Sequence, residues 1–216
     1  VQLRPRVVYT RTKVQKDLTR LLEVYRRSGR FSARVVPRVI QLEQNRVDLV
    51  FEIKEGSRTG VQRIVFVGNR AFRNGKLREV IQTKQSRWWR FLSTADAYDP
   101  DRMNYDQELL RRFYVNEGFA DFQVTGAVAE LTLDREKFFI TFSVEEGRRY
   151  RFDGILVNSD LPNLNTGDLF HLVTTTKGDW YDAADIENTV QRLTQAVGEI
   201  GYAFVDVQPR VKRNRD

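Results

Sequence analysis

Cysteine is absent from the 216-residue sequence, and histidine occurs only once, as His171. Without cysteine there is no disulfide, no thiolate nucleophile and no thiolate metal ligand, and a single histidine excludes a multi-histidine metal site. No apolar run approaches the roughly 18 residues of a membrane helix. The first ten residues, VQLRPRVVYT, lack the apolar core of a signal peptide. We therefore expect no metal and no cofactor. We also expect no targeting signal in this sequence that would identify a compartment.

Signatures of enzymatic chemistry are also missing. The 13 glycines form neither GxGxxG nor GxxxxGK, the loops that cradle phosphate groups. Asp99, Asp101 and Asp106 resemble calcium-site spacing only superficially, and helix capping accounts better for the first two. His171 stands between Phe170 and Leu172 and has no second histidine or carboxylate pair beside it. The sequence therefore predicts a protein that is not an enzyme.

Charge is abundant but unevenly distributed. The chain has 36 basic and 29 acidic side chains, a net charge of +7, and 41% apolar residues, enough for a folded core. Residues 1–56 hold 13 basic and 6 acidic side chains, residues 57–147 hold 14 and 13, and residues 148–216 hold 9 and 10. The excess positive charge belongs to the first segment and is not a property of the whole chain.

An internal repeat organises the sequence. Gly29, Gly118 and Gly201 are 89 and 83 residues apart, and each follows an apolar pattern of helical period. A tyrosine lies 20 positions before each glycine, and the next residue is a good helix N-cap: Thr10, Asp99 and Asp182. This pattern predicts three helices of about 15 to 18 residues, each ending at a glycine in the left-handed conformation.

A strand is predicted after each of the three glycines, with apolar residues at offsets of four, six and ten. At offset eight stand Pro37, Gly126 and Pro209. Proline cannot donate a ladder hydrogen bond and glycine marks a bulge, so these strands should lie at sheet edges. A denser apolar strand follows in the first two copies, at 47–56 and 137–147, and suits a central position. Further strands are predicted at 61–69 and 150–160, each followed by a short helix.

The unit of strand, helix, helix, strand, strand resembles the POTRA (polypeptide-transport-associated) domain. The resemblance is carried by VQRIVFVGNRAF, by YDQELLRRFYVNEGFADFQV and by the closing Glu-Gly pairs, and it covers essentially the whole chain. It implies an α+β fold of tandem POTRA domains, each a three-stranded mixed sheet packed on two helices. Residues 1–56 look like the end of a second POTRA of outer-membrane assembly factors, 57–147 like a complete third, and 148–216 like a fourth that lacks its last strand.

The resemblance implies a periplasmic scaffold that receives unfolded outer-membrane β-barrel polypeptides and docks accessory lipoproteins, ahead of a C-terminal membrane barrel. An exposed edge suits this role, because strand addition satisfies a partner's backbone groups with little demand on its sequence. The middle edge has no proline. The predicted partner-binding residues are therefore Phe122, Gln123, Val124, Thr125, Gly126, Ala127, Val128 and Ala129.

Secondary contacts are predicted at Val35 and Val39 of the first edge and at Trp88, Trp89 and Arg90. Trp and Arg are enriched in interface hot spots. The alternative for the tryptophans, which the sequence favours, is burial in a satellite core, because two exposed neighbouring tryptophans promote aggregation.

Two other functions remain open. POTRA arrays also occur in other secretion systems and in division proteins. The basic pI and the run Arg87-Trp88-Trp89-Arg90-Phe91 would suit a nucleic-acid-binding module. No nucleic-acid-binding motif is present, however, so we expect no nucleic-acid partner.

Overall fold

The fold is described from a computed structural model, for residues 9–44, 46–86, 98–161, 164–202 and 204–214. Its helices are α1 (Arg11–Arg27), α2 (Asn74–Val80), α3 (Pro100–Asn116) and α4 (Ala183–Glu199), with a 3-10 helix at Thr166–Leu172. Its strands are β1 (Arg34–Leu42), β2 (Arg46–Lys54), β3 (Gly60–Val67), β4 (Gln123–Leu131) and β5 (Lys137–Glu145). The class is α+β, as predicted.

The three long helices begin and end where the repeat predicts. The side chains of Thr10, Asp99 and Asp182 each accept a hydrogen bond from a backbone N–H of the following turn. Gly29, Gly118 and Gly201 have φ angles of 77°, 98° and 104°. A residue with a Cβ rarely adopts this left-handed conformation, so the recurring glycine marks the helix end. Both predictions are confirmed.

The strands form two sheets. In the first, β1 pairs with β2 antiparallel, with Val35 opposite Ile53. In the second, the order is β3-β5-β4, and β5 runs parallel to β3. The apolar strand β5 is therefore central and β4 lies at the edge, as the sequence predicts. Among the described residues, β1 and β2 form a two-stranded sheet in which both are edges, so the central position predicted for residues 47–56 was wrong.

Two predicted strands are not formed. Residues 150–160 make only an isolated bridge between Arg151 and Trp180, and residues 205–211 have no strand pairing. In the middle repeat β5 lies between the corresponding segments, and the 216 residues contain no third counterpart of β5. Without that strand the two segments have no ladder partner, and the prediction from local pattern alone was wrong. The short helix that follows is a 3-10 helix.

Contacts along the chain divide it into two compact units, residues 1–107 with 125–143, and residues 108–124 with 144–216. The predicted boundaries at 56/57 and 147/148 stay a prediction. In the first unit, strands β3 and β5 supply buried apolar side chains, and the Phe66 and Phe142 rings stack with centroids 5.5 Å apart. In the second unit, Leu169, Leu193 and Val197 form a separate cluster. Among the described residues, no helix has the length and apolar character needed to cross a membrane.

Candidate functional site

Among the strands that the structure describes, β4 has a single ladder partner. Because β5 occupies one side only, half of the backbone N–H and C=O groups of β4 point away from the sheet. This free edge contains seven of the eight residues predicted for partner binding, Gln123 to Ala129, and extends to Leu131.

The hairpin that joins β4 to β5 fixes which backbone groups point outward. The N–H of Thr132 donates to the carbonyl of Lys137 at 2.9 Å. Continuing this antiparallel register places Glu130 opposite Phe139 in a hydrogen-bonded pair, and Ala129 opposite Ile140 in a non-hydrogen-bonded pair. The N–H and C=O groups of Ala127, Ala129 and Leu131 therefore face away from β5, whereas those of Val128 and Glu130 face it.

The exposure of the β4 residues alternates on both sides of Gly126. Val128 and Glu130 are exposed, and Ala127, Ala129 and Leu131 are half-buried. Gly126 and Ala127 are half-buried in succession, but glycine has no side chain and its burial does not mark a face of the sheet. A Cβ placed on Gly126 would lie 3.8 Å from Ser143 Cβ, and Ser143 is the residue that the hairpin register sets opposite Gly126. The bulge predicted at this glycine stays a prediction.

Phe122 belongs to the core and lies just before the strand. Its side chain is 4% exposed and stacks on Tyr114, with ring centroids 4.0 Å apart. Its side chain is therefore not accessible to a partner. The stack instead fixes the point at which the chain enters β4.

The turn at the end of the edge is held by side chains as well as by the backbone. Thr132 Oγ1 donates to Asp134, and this hydrogen bond is the main reason why the pKa of the Asp134 carboxyl is lowered. Arg135 has a φ of 61°, and its carbonyl accepts a hydrogen bond from Thr59 Oγ1 at 3.1 Å. The tip of the hairpin is thus anchored to the residues that precede β3.

The secondary candidates are divided between two locations. In β1, Val35 is buried and Val39 is 42% exposed, with Pro37 between them. The side chain of Val35 is therefore part of the core, and Val39 alone of the two is accessible. Trp88, Trp89 and Arg90 lie outside the described residues.

A backbone hydrogen-bond relay follows the first helix-terminal glycine. The carbonyl of Gly29 accepts from the N–H of Thr59 at 2.8 Å, and the carbonyl of Thr59 accepts from the N–H of Tyr98 at 3.3 Å. Thr59 is fully buried and its Oγ1 also accepts from the N–H of Phe31. This relay ties the end of α1 to the start of β3 and to the residue before the cap of α3.

The same relay recurs after the second glycine. The carbonyl of Gly118 accepts from the N–H of Tyr150 at 2.9 Å, and the carbonyl of Tyr150 accepts from the N–H of Tyr181 at 3.0 Å. Arg149 lies over Trp180, with its guanidinium carbon 4.0 Å from the ring centroid. The repeated spacing of tyrosine and glycine in the sequence thus has a structural cause, because both residues belong to the junction between repeats.

The Glu-Gly pair that closes a repeat is held by a tyrosine of the preceding helix. Tyr114 Oη donates to Glu146 at 2.9 Å, and Tyr25 Oη donates to Glu55 at 3.3 Å. Burial and the hydrogen bond to Glu146 both raise the pKa of Tyr114. These contacts are structural, and they explain a motif that the sequence shows only as a repeated dipeptide.

The described part of the chain offers little for catalysis. His171 lies in the 3-10 helix with its Nδ1 2.7 Å from the carbonyl oxygen of Asp168. Within the described ranges, no group of three or more His, Asp or Glu side chains is arranged to hold a metal ion. The features that distinguish this protein are therefore its repeated junctions and its free sheet edge.

Comparison with known proteins identifies relatives over most of the chain. The sequence is 26% identical to the outer membrane protein assembly factor BamA of Neisseria meningitidis over 203 residues, which cover 93% of this chain and 26% of that protein. It is 26% identical to BamA of Neorickettsia risticii over 195 residues, covering 90% of this chain and 26% of the relative. The chain therefore spans about a quarter of the length of these relatives.

A similar structure is the crystal structure of POTRA domains 3–5 of Haemophilus influenzae BamA, with a TM-score of 0.49 and 18% sequence identity, covering 99% of this chain and 82% of that one. The POTRA family, described as the surface antigen variable number repeat, matches residues 1–56, 59–147 and 150–216. The chain belongs to the POTRA family.

Proposed function

We propose that this protein is a non-enzymatic periplasmic scaffold of an outer-membrane protein assembly machine. It binds unfolded β-barrel polypeptides and accessory lipoproteins, and it works beside a C-terminal membrane barrel in the same protein. The names of the relatives, which are outer membrane protein assembly factors, support the assembly role. The POTRA repeats support a module that binds other proteins.

The observation that carries the binding mode is the position of β4 at the edge of its sheet. Its outward N–H and C=O groups at Ala127, Ala129 and Leu131 can pair with an extended segment, as the register described above directs. A polypeptide destined for a β-barrel offers unpaired backbone groups of the same kind. Strand addition uses main-chain hydrogen bonds for affinity, and so one edge can serve many clients.

The first edge is a poorer template. Pro37 of β1 has no backbone N–H, and Pro209 stands at the same position in the third repeat. We therefore assign the main docking role to the middle repeat, at Gln123 to Ala129. Val39, Trp88, Trp89 and Arg90 remain secondary candidates.

Site-specific crosslinking in the full-length protein tests this function. A photoreactive residue placed at each position from 120 to 132 is expected to capture clients or lipoproteins most strongly at exposed positions along β4. A scan without a maximum on β4, in a variant set that assembles normally, would contradict docking at the edge.

Two proline variants make a matched pair. Ala129→Pro removes an N–H that faces away from β5, so the sheet should persist while crosslinking falls. Val128→Pro removes an N–H that faces β5, so it should destabilise the fold itself. Undiminished crosslinking in a folded Ala129→Pro variant would show that partners do not use this backbone edge.

Binding to nucleic acid, the alternative from another class, is tested by the same protein in a titration with duplex and single-stranded DNA. Weak binding that falls steeply with salt is expected from nonspecific attraction to the positively charged first segment. Nanomolar, sequence-dependent binding near physiological salt would contradict the assembly function.

A further inference from the structure

We propose that residues 127–131 of β4 select the sequence of the strand that they bind. The selected strand has bulky apolar side chains on the helix-facing side of the sheet, next to Ala127 and Ala129, and a basic side chain opposite Glu130 on the outer side. This inference rests on the proposed strand addition and specifies which segments it favours.

The helix-facing side of the edge is lined by small residues. The hairpin register places Ala127 opposite Phe142 and Ala129 opposite Ile140, and both of these β5 side chains are fully buried. The two alanines are only half-buried. The apolar layer thus ends at two methyl groups, and side chains of an added strand would lie about 4.5–5.5 Å from them, Cβ to Cβ. Large apolar side chains at these positions would extend the buried layer and bury the alanines.

On the outer side of the same sheet, Phe139 lies between two side chains of opposite charge. Arg63 of β3 pairs with Phe139 of β5, and the hairpin register places Glu130 of β4 on the far side of Phe139. Both charged side chains are exposed. An added strand becomes the next member of this row, beside the carboxylate of Glu130. Opposite charges at facing positions are favourable and like charges are unfavourable, so a lysine or arginine is preferred there.

The neighbouring row consists of β-branched residues. Val65 pairs with Thr141, and Val128 continues the row at the edge with 55% of its surface exposed. A β-branched or aromatic residue of the partner would pack beside Val128. The preferred partner residues are therefore basic opposite Glu130 and β-branched opposite Val128. They are apolar opposite Leu131, Ala129 and Ala127.

Labelled peptides that keep the three apolar positions of this pattern test the inference by fluorescence anisotropy with the full chain. One peptide carries lysine at both outward positions and the other carries glutamate at both, so the comparison does not depend on strand direction. The lysine peptide is expected to bind the unaltered protein about two- to five-fold more tightly, which corresponds to roughly 0.5–1 kcal/mol for a favourable facing pair. The preference should reverse in Glu130→Lys and disappear in Glu130→Gln. Glu136→Lys, which reverses a charge in the turn, should keep the original preference.

A third peptide replaces the helix-facing apolar residues by serine and should bind more weakly than either. Equal binding of the lysine and glutamate peptides, or a preference that does not follow the charge at residue 130, overturns the selection. If the selection is overturned in this way but Ala129→Pro abolishes peptide binding, the proposed strand addition is still supported. If Ala129→Pro leaves the binding of all three peptides unchanged, the proposed function fails together with the selection.

Discussion

The carboxylate of Asp106 accepts a hydrogen bond from the backbone N–H of Thr83 at 3.1 Å, and a second from Gln82 at 2.6 Å. Asp106 is fully buried in α3, twelve residues before Gly118. Asp17 occupies the same position before Gly29 and is also fully buried, and Thr189 occupies it before Gly201 and accepts from the N–H of Thr174. In the second and third repeats, a side-chain acceptor at this position holds the segment that follows the short helix.

Asp106→Ala should therefore destabilise the protein strongly. The change leaves two backbone N–H groups without their acceptor, and each unsatisfied buried group costs about 1–3 kcal/mol. We expect a loss of roughly 2–4 kcal/mol in urea unfolding, with a smaller loss for Asp106→Thr, which reproduces the acceptor of the third repeat. Asp101→Ala, on the exposed face of the same helix, is the control. A loss for Asp106→Ala no larger than that of the control would contradict the role of this carboxylate.

Substitution by valine should have different effects on stability at two buried threonines. Thr59 Oγ1 donates to Arg135 and accepts from Phe31, so Thr59→Val should cost about 1–3 kcal/mol in thermal or urea unfolding. Thr83 Oγ1 is buried with no hydrogen-bond partner among the described residues. Thr83→Val removes an unsatisfied hydroxyl while keeping the shape, and we expect unchanged or slightly higher stability. Equal destabilisation of both variants would show that the hydroxyl of Thr83 is satisfied in solution.

Alanine substitutions at Gly118 and Gly178 distinguish the loss of stability caused by backbone strain from the loss caused by steric crowding. Both have a φ of +98°, but a Cβ at Gly118 would lie 3.0 Å from Arg149 Cγ, whereas a Cβ at Gly178 meets nothing within 4 Å. Alanine at Gly178 should cost about 1 kcal/mol, the strain of the left-handed conformation. Alanine at Gly118 should cost more, and Arg149→Ala in the same chain should recover part of the difference. Equal losses in calorimetry would mean that the junction has room for a methyl group.

The ionisation of Tyr114 should occur well above the ordinary tyrosine value of 10.0, because burial first and the hydrogen bond to Glu146 second raise its pKa. A raised pKa in the folded state means that this contribution to stability is complete below the unfolded pKa and is lost as the pH rises toward the folded value. Glu146→Gln should lower the pKa of Tyr114, as followed by NMR of labelled tyrosine. Glu145→Gln, its exposed neighbour, should leave it unchanged. A Tyr114 that titrates near 10 in the unaltered protein would contradict the contact.

Local sequence signals were sufficient for the helices and for the position of β4. The caps at Thr10, Asp99 and Asp182 and the glycines that end the helices act within one turn of chain, so their spacing alone predicts the boundaries. The edge position of β4 followed from Gly126 and from the denser apolar pattern of β5. These signals reflect backbone geometry and burial, which the sequence carries directly.

Signals that depend on a distant partner were not sufficient. Residues 150–160 have the pattern of a strand, but a strand exists only when a neighbour accepts its hydrogen bonds. Phe122 was included in the edge because it follows the alternation, yet its ring stacks on Tyr114. The buried acceptor at Asp106 could have been found by aligning the three glycines, since Asp17 lies at the same offset. Its partners, Gln82 and Thr83, could not, because they lie about 24 residues away in the chain.

The hairpin register of β4 has a consequence for how long a strand paired with this edge would stay. Between Ala127 and Leu131 only every second residue turns its N–H and C=O groups outward, so a strand added along this stretch forms few main-chain hydrogen bonds. Short ladders release their strands readily, because few main-chain bonds must break at once. Under the proposed strand addition, a client held at this edge alone would be released readily, and its retention would draw on several such contacts along the array, so that affinity would arise from number instead of strength.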